Sequence, residues 1–294
     1  MPAKLKIGKL VVIGVGLIGG SFALALKKAR AVKQVTGVGR TRRNLAVARR
    51  LGIIDEALAD AARAVEEADF VLLGTPVGQM AEVMASIAPH LPAHAVITDG
   101  GSTKQDVIAC ARRFLGSHFA RFVPAHPIAG TERSGAAAAQ ADLYRDRTVI
   151  LTPQPETTAR AGRTVRAAWQ QCGARVIELD AKEHDEMFAA VSHLPHVVAF
   201  ALVNALAQRP GARKLFGFSG AGLRDTVRIA GSSPEMWRDI CLANRAALLD
   251  ALEGYEAEIE RVRAAIESGD GAALGKMFEQ ARAVRSEWLL GKQR

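Results

Sequence analysis

Three observations predict an α/β fold with a mostly parallel sheet, followed by an all-helical second part. Short apolar runs alternate with helical stretches over the first 179 residues. A glycine-rich turn stands between the first apolar run and the first helical stretch. Beyond Asp180 the alternation stops and only long helical patterns follow. The expected division is residues 1–179 and 180–294.

The elements follow in order. Leu10–Ile13 is a β-branched apolar run, the pattern of a strand buried on both faces. Gly14-Val15-Gly16-Leu17-Ile18-Gly19 comes next, and Ser21–Ala29 has helical composition. A GxGxxG is a weak signal alone and a strong one between a strand and a helix. Gly14 allows the tight turn, Gly16 leaves room for a pyrophosphate, and Gly19 lets helix pack on strand. The helix N-terminus then offers N–H groups to the phosphates. This is the plan of a Rossmann-type dinucleotide-binding domain, with Gly14, Gly16, Leu17, Ile18 and Gly19 as cofactor contacts.

Gln34–Gly39 reads as the second strand and Arg42–Leu51 as a helix. The run Asp69–Thr75 is a buried strand whose end, Thr75-Pro76, borders the cofactor edge. Ala95–Asp99 is another, ending in Asp99-Gly100-Gly101-Ser102. Phe119–Pro124 leads into the Pro/Gly-bounded stretch HPIAGTERSG, residues 126–135. Thr148–Leu151 and Arg175–Leu179 are later, shorter strands. The stretches after Asp180, with Glu235–Ala265 and Ala272–Leu290, read as helices of several turns.

Bulk properties set the class. Of 294 residues 49% are hydrophobic and 5% aromatic, so the core is aliphatic and rich in alanine. No apolar run approaches the ~20 residues of a membrane span, and Met1–Gly8 lacks the layout of a signal peptide. Three distant cysteines without CxxC spacing fit reduced thiols and a cytoplasmic location. Net charge is +9, and residues 27–50 carry nine Lys or Arg and no acid. Such a stretch is either a solvated helix face or a site for a polyanion. Beside a dinucleotide motif the polyanion is a phosphorylated cofactor rather than nucleic acid. NAD-preferring sites usually carry an acid at the end of the second strand, ~20 residues past the turn. Here Arg40 and Thr41 stand there, so NADP is expected to be favoured, with NAD possible.

Among the seven histidines, His90, His94 and His118 fall in turn or helix-end contexts and read as surface residues. His126 ends a strand at the cofactor edge, and Ser192–His196 (SHLPH) places two imidazoles around a proline. No Cys or acid sits at metal spacing, so no metal is expected. An alcohol losing hydride must also lose a proton, and a histidine titrating near neutrality is a suitable acceptor. An anionic substrate needs a guanidinium, for which Arg228 is the candidate, a surface salt bridge being the competing reading.

Taken together, GVGLIGGS, DGGSTK, HPIAGTERSG, VSHLPHVVAFAL and RDTVRIAGSSPEMWRDI resemble the prephenate/arogenate (cyclohexadienyl) dehydrogenase family of tyrosine biosynthesis. The resemblance runs from about residue 9 to 290. It implies oxidative decarboxylation of prephenate or arogenate with hydride transfer to NAD(P), by a single-function enzyme. It also implies a homodimer formed through the helical domain, with no nucleic-acid or membrane partner. By resemblance His126 is the catalytic base and Ser102 hydrogen-bonds the same hydroxyl. Arg228 binds a substrate carboxylate and His196 lies near the substrate side chain. Glu132 and Asp225 position the arginine and gate the site, and Thr131 and Ser192 complete the substrate contacts. Trp237 and Arg238 match the motif in a structural capacity.

Two other readings compete. A β-hydroxyacid dehydrogenase shares this layout but relies on a lysine in the first long helix of its second domain. The helix here, HVVAFALVNAL, has none. A non-catalytic nicotinamide-sensing protein has no use for Ser102, His126 and Arg228 together.

Overall fold

The computed structural model describes residues 5–131 and 133–291. Its first part builds a six-stranded sheet. The elements are β1 (Ile7–Ile13), α1 (Leu17–Lys28), β2 (Val32–Val38), α2 (Arg42–Arg50), β3 (Glu56–Leu58) and α3 (Ala61–Val65). There follow β4 (Phe70–Leu73), α4 (Met80–Ile87), β5 (Val96–Asp99), α5 (Gln105–Phe114) and β6 (Phe122–Val123). All five pairings are parallel, in the order β3-β2-β1-β4-β5-β6. The order reverses between β1 and β4, and ligands bind at the carboxyl ends of strands at such a point.

Strand alternation feeds two cores. Leu10 and Val12 point into one, with Phe22, Leu26, Phe70, Leu72 and Trp169. Val11 and Ile13 point into the other, with Val71, Leu73, Met80, Met84, Ile97 and Trp237. A period of two in a sheet covered on both faces demands this apolar run without polar interruption.

A smaller sheet follows. In it β7 (Ala125–Pro127) pairs antiparallel with β8 (Thr148–Leu151). Past α6 (Ala159–Gln171), β9 (Arg175–Glu178) pairs parallel with β8. The helical part comprises α7 (Ala181–Phe188), a π-helical turn (Ala189–His193), α8 (Leu194–Ala207), α9 (Ala212–Gly217), α10 (Ala221–Val227) and α11 (Pro234–Ala243). It ends with α12 (Arg245–Glu267) and α13 (Gly271–Gly291). By packing, the chain divides into Met1–Arg245 and Ala246–Arg294. The second unit is two long helices with exposed apolar side chains that include Leu249, Ile259, Ile266, Phe278 and Val284.

Several elements differ from the sequence expectation. β3 has only three residues, too few for a periodic signal. His126, expected at the end of a strand, is the middle residue of a separate short strand, β7, opposite Ile150. The helix expected over Glu235–Ala265 breaks at Asn244, whose side chain is spent on other segments. Ala181–Ala207 is one continuous helical run of 27 residues, long and apolar enough by length and composition to cross a membrane. The sequence reading did not anticipate that, because Asp185 and the histidines interrupt its apolar pattern. His184 and Asp185 are buried against the sheet-bearing part of the protein, whereas His193 and His196 meet Asn244 and Trp237.

At Gly14 the backbone has φ +97°, and a Cβ there would meet the Gly74 backbone carbon at 2.5 Å. Neither the conformation nor the space admits a side chain. Gly14→Ala should therefore lose at least about 2 kcal/mol of unfolding free energy, from strain plus backbone overlap. Urea unfolding checks this; a midpoint equal to that of the unmodified protein contradicts it.

Candidate active site at the carboxyl edge of the sheet

The strand ends converge around a buried ion pair. Asp99, the last residue of β5, and Lys104, just before α5, are both fully buried, with Nζ–Oδ2 at 2.5 Å. Asp99 also accepts the N–H of Gly101 through Oδ2 and that of Ala125 through Oδ1. Lys104 Nζ donates in addition to the Ala125 carbonyl at 2.8 Å. Both ends of the DGGSTK segment are thereby fixed to the residue preceding His126. Ser102 lies between them, half-buried, at the same edge, and makes no hydrogen bond to His126 among the described residues.

His126 is half-buried and makes one side-chain hydrogen bond, Nδ1 to His184 Nε2 at 2.8 Å. His184 Nδ1 in turn lies 2.8 Å from Asp185 Oδ1. Asp185 accepts the backbone N–H of Lys104 and of Gln105, each at 2.8 Å. Phe188 packs against both imidazoles, with centroids 4.7 Å and 4.6 Å away. Burial, then the neighbouring His184, Lys104 and His193, hold the pKa of His126 well below the ordinary histidine value. This corrects the expectation of a histidine titrating near neutrality. Burial and these neighbours favour the neutral ring, the form that accepts a proton.

A second cluster stands on the helical segment. His196 Nδ1 bonds to the Ser192 carbonyl at 2.8 Å, and its ring stacks on Trp237 with centroids 3.6 Å apart. Ser192 thus contributes its backbone through the π-helical turn. Burial lowers the His196 pKa, the Ser192 bond opposes that, and the Arg228 guanidinium lowers it further. Arg228 itself is exposed, and so is Asp225. Among the described residues no ion pair joins the two. Thr131 accepts the Arg133 N–H and lines an open cleft with Gln140, Arg145 and Arg147. Glu132 lies outside the described residues.

The glycine-rich turn fits a dinucleotide on three observations. Gly16 caps α1 with no side chain, and a Cβ there would meet nothing within 4 Å, so the space beside the helix N-terminus is open. Gly19 packs so closely that a Cβ would meet the Gly14 oxygen at 2.3 Å. Thr75 Oγ1 is buried with no partner among the described residues, a donor left for a ligand. Leu17 is buried, Ile18 accepts the Tyr144 hydroxyl at its carbonyl, and Pro76 precedes the 3-10 turn 77–79. Arg40 is exposed past the end of β2, where Nη1 meets Glu235 Oε1 at 3.3 Å; Thr41 caps α2 without a side-chain bond. Among the described residues no three His, Cys, Asp or Glu side chains converge on a metal position.

Sequence reasoning missed His184, Asp185, Asn244 and the Asp99–Lys104 pair. Asn244 Nδ2 donates to the Asp185 carbonyl at 2.7 Å and meets His193 Nδ1 at 3.1 Å. The only available signal was the HD dipeptide inside an otherwise amphipathic helix, which nothing distinguishes from a solvated face.

Comparison with known proteins follows this geometry. Residues 22–178 match the family model "Prephenate dehydrogenase, nucleotide-binding domain", and 180–280 match "Prephenate dehydrogenase, dimerization domain". The chain is 37% identical over 278 residues to a cyclohexadienyl dehydrogenase of Zymomonas mobilis subsp. mobilis, covering 94% of each. It is 36% identical to a prephenate dehydrogenase of Bacillus subtilis, covering 94% of this chain and 75% of that one. It superposes with a TM-score of 0.89 on the prephenate dehydrogenase of A. aeolicus in complex with hydroxyphenyl propionate and NAD+. That pair shares 36% identity, covering 96% of this chain and 99% of the other.

The buried histidines carry a stability signature. Burial lowers the pKa of His126, His184 and His193, the last to about 4. In the unfolded chain each takes up a proton near the ordinary value of about 6.5. The unfolded state therefore binds more protons between that value and the folded pKa. Stability is complete above about pH 6.5 and falls as pH drops, by up to about 1.4 kcal/mol per pH unit per histidine. Urea midpoints at about pH 7 and about pH 5 should differ accordingly; equal midpoints would contradict neutral burial.

Proposed function

The chain belongs to the prephenate dehydrogenase family, and on that premise we propose that His126 is the base of its reaction. The reaction is the oxidative decarboxylation of prephenate in tyrosine biosynthesis, with a nicotinamide dinucleotide as oxidant. The observation that carries the proposal is the His126 imidazole, bonded through Nδ1 to His184 and fixed at the carboxyl edge of the sheet whose first turn is built for a dinucleotide.

Gly14, Gly16, Leu17, Ile18 and Gly19 hold the pyrophosphate, with Thr75 and Pro76 on the neighbouring strand end. A nicotinamide bound there would supply the acceptor for the hydride that leaves the ring carbon bearing the hydroxyl. His126 takes the hydroxyl proton, and Ser102 orients that hydroxyl. The ketone so formed draws in the electron pair of the carboxylate–ring bond as carbon dioxide leaves. The ring becomes aromatic, and the imidazolium can return its proton to the phenolate oxygen. The substrate supplies the driving force of aromatisation, while the protein supplies position and a base. Arg228 binds a substrate carboxylate, with His196, Ser192 and Thr131 around the side chain and Glu132 and Asp225 at the entrance. Prephenate and arogenate differ only by keto against amino, and the proposal extends to both.

The domain division at 179/180 goes with this reading: the sheet-bearing part holds the cofactor and the helical part binds substrate and pairs with a second copy. Exposed apolar side chains on α12 and α13, among them Ile259 and Phe278, support such pairing. A homodimeric cytoplasmic enzyme without nucleic-acid or membrane partners is the form proposed.

Two substitutions test the site as a pair. His126→Asn should lower kcat by ~10²–10⁴-fold with cofactor affinity unchanged, the range for losing a general base. Arg228→Ala should act mainly on KM for prephenate, because a charge-assisted bond is lost. Steady-state absorbance at the wavelength of reduced nicotinamide reads both. A loss under about tenfold for His126→Asn removes it as the base.

NADP preference is the finer part of the proposal. Arg40 stands where a carboxylate would meet a 2′-phosphate, and its present partner Glu235 is an exposed residue that a phosphate can replace. Arg40→Asp should swing kcat/KM toward NAD. A clear preference for NAD in the unmodified enzyme overturns this assignment.

A further inference from the structure

We infer that His184 and Asp185 are positioning residues that fix the tautomer of His126, so that its lone pair lies on Nε2. This rests on the reading of His126 as the base. The chain of reasoning starts at Asp185. Its carboxylate accepts the N–H groups of Lys104 and Gln105 at the start of α5. Burial pushes its pKa up, but the bonds from His184 and from those two N–H groups outweigh this and hold it below the usual range. An ionised carboxylate only accepts, so the nitrogen facing it, His184 Nδ1 at 2.8 Å, carries the hydrogen.

A neutral His184 with hydrogen on Nδ1 has its lone pair on Nε2. That nitrogen faces His126 Nδ1 at 2.8 Å, so His126 is the donor across this contact. A neutral His126 with hydrogen on Nδ1 then keeps Nε2 as an acceptor. The opposite tautomer would present an N–H to the substrate hydroxyl and could not take its proton. Reversing the chain needs an extra proton on His184. Burial lowers its pKa, the Asp185 bond opposes this, and the nearby Lys104 cation lowers it further. The other titratable groups around the pair are Asp99 and Lys104 from the sheet edge, Asp106 on α5 and His193 from the π-helical turn.

The arrangement also serves the second half of proton transfer. Once His126 is an imidazolium, its Nδ1–H still donates to His184, and the Asp185 carboxylate stands one ring away. The side chains of His184 and Asp185 are almost fully buried, so water does not compete for these bonds. Asn244 holds the Asp185 backbone through its carbonyl at 2.7 Å, which fixes the carboxylate from behind.

The test uses the full-length enzyme labelled with ¹⁵N-histidine. Two-bond nitrogen–proton correlations in the unmodified protein should show His126 and His184 both in the Nδ1–H form. His184→Phe removes the acceptor and should lower kcat by about 10²-fold with KM for prephenate little changed. His184→Gln places a carbonyl oxygen where Nε2 was and should recover most of that loss. Thermal midpoint and cofactor affinity are measured alongside as controls for folding. The inference is overturned if His126 populates the Nε2–H form in the unmodified protein. It is equally overturned if a folded His184→Phe enzyme retains kcat within about threefold while His126→Asn does not, which leaves the base in place without its relay. If His126→Asn itself stays near full activity, it is the base reading that fails. Should His184→Phe not fold, the tautomer measurement on the unmodified protein decides alone.

Discussion

The ion pair between Asp99 and Lys104 is the constraint on which the site depends. It is buried without exposure, and three backbone segments close on it: the end of β5, the turn before α5 and the start of β7. Desolvating two charges is costly, and the cost is met only when every remaining donor and acceptor is used. Here the aspartate accepts Gly101 and Ala125 N–H groups, and the ammonium reaches the Ala125 carbonyl. Removal of either charge would leave the other stranded, at roughly 3–5 kcal/mol. The pair therefore makes the position of Ala125, and with it that of His126, a condition of folding rather than an adjustable feature.

A second consequence concerns charge near the site. The Lys104 cation disfavours protonation of His126 and His184, and burial acts in the same direction. At His184 the carboxylates of Asp185 and Asp99 oppose them. Of these two buried carboxylates, Asp99 is paired with Lys104, and Asp185 is held by backbone N–H groups at a helix start. A dinucleotide brings further negative charge to the neighbouring helix, α1, whose first turn has no acid. Two helix N-termini thus handle the two anions, one belonging to the protein and one to the ligand.

Much of this was legible in the sequence, and the division is physical. The buried strands are continuous apolar runs, so β4, β5 and β8 stand out within a residue or two, and β1 is found but begins three residues earlier than its apolar run. Gly14 and Gly19 are read directly from the spacing of the turn between β1 and α1, although the backbone that excludes a side chain at Gly14 is that of Gly74, far along the chain. His126 and Ser102, singled out in the sequence, lie at the carboxyl edge of the sheet. What was not legible depends on partners far along the chain. His184 and Asp185 meet groups about 60 to 80 residues away, inside a helix whose local pattern gives no reason to bury them. β7 is three residues long, and it exists only because β8 offers an antiparallel edge. Asn244 looks like any polar residue within a helix until its two partners are known.

The π-helical turn at Ala189–His193 sets a condition of a different kind. A helix advances one turn per 3.6 residues, so one residue more or less rotates everything beyond it by about 100°. Upstream of the turn lie His184 and Asp185, facing the sheet edge; His193, bound to Asn244, closes the turn, and His196, stacked on Trp237, lies downstream. The turn supplies the phase that lets both groups reach their partners from one unbroken rod. Its length is thus a form of information separate from its composition. Between Asp185 and His196 an added or lost residue would uncouple the two ends at once. Along this segment the count of residues is itself a structural requirement.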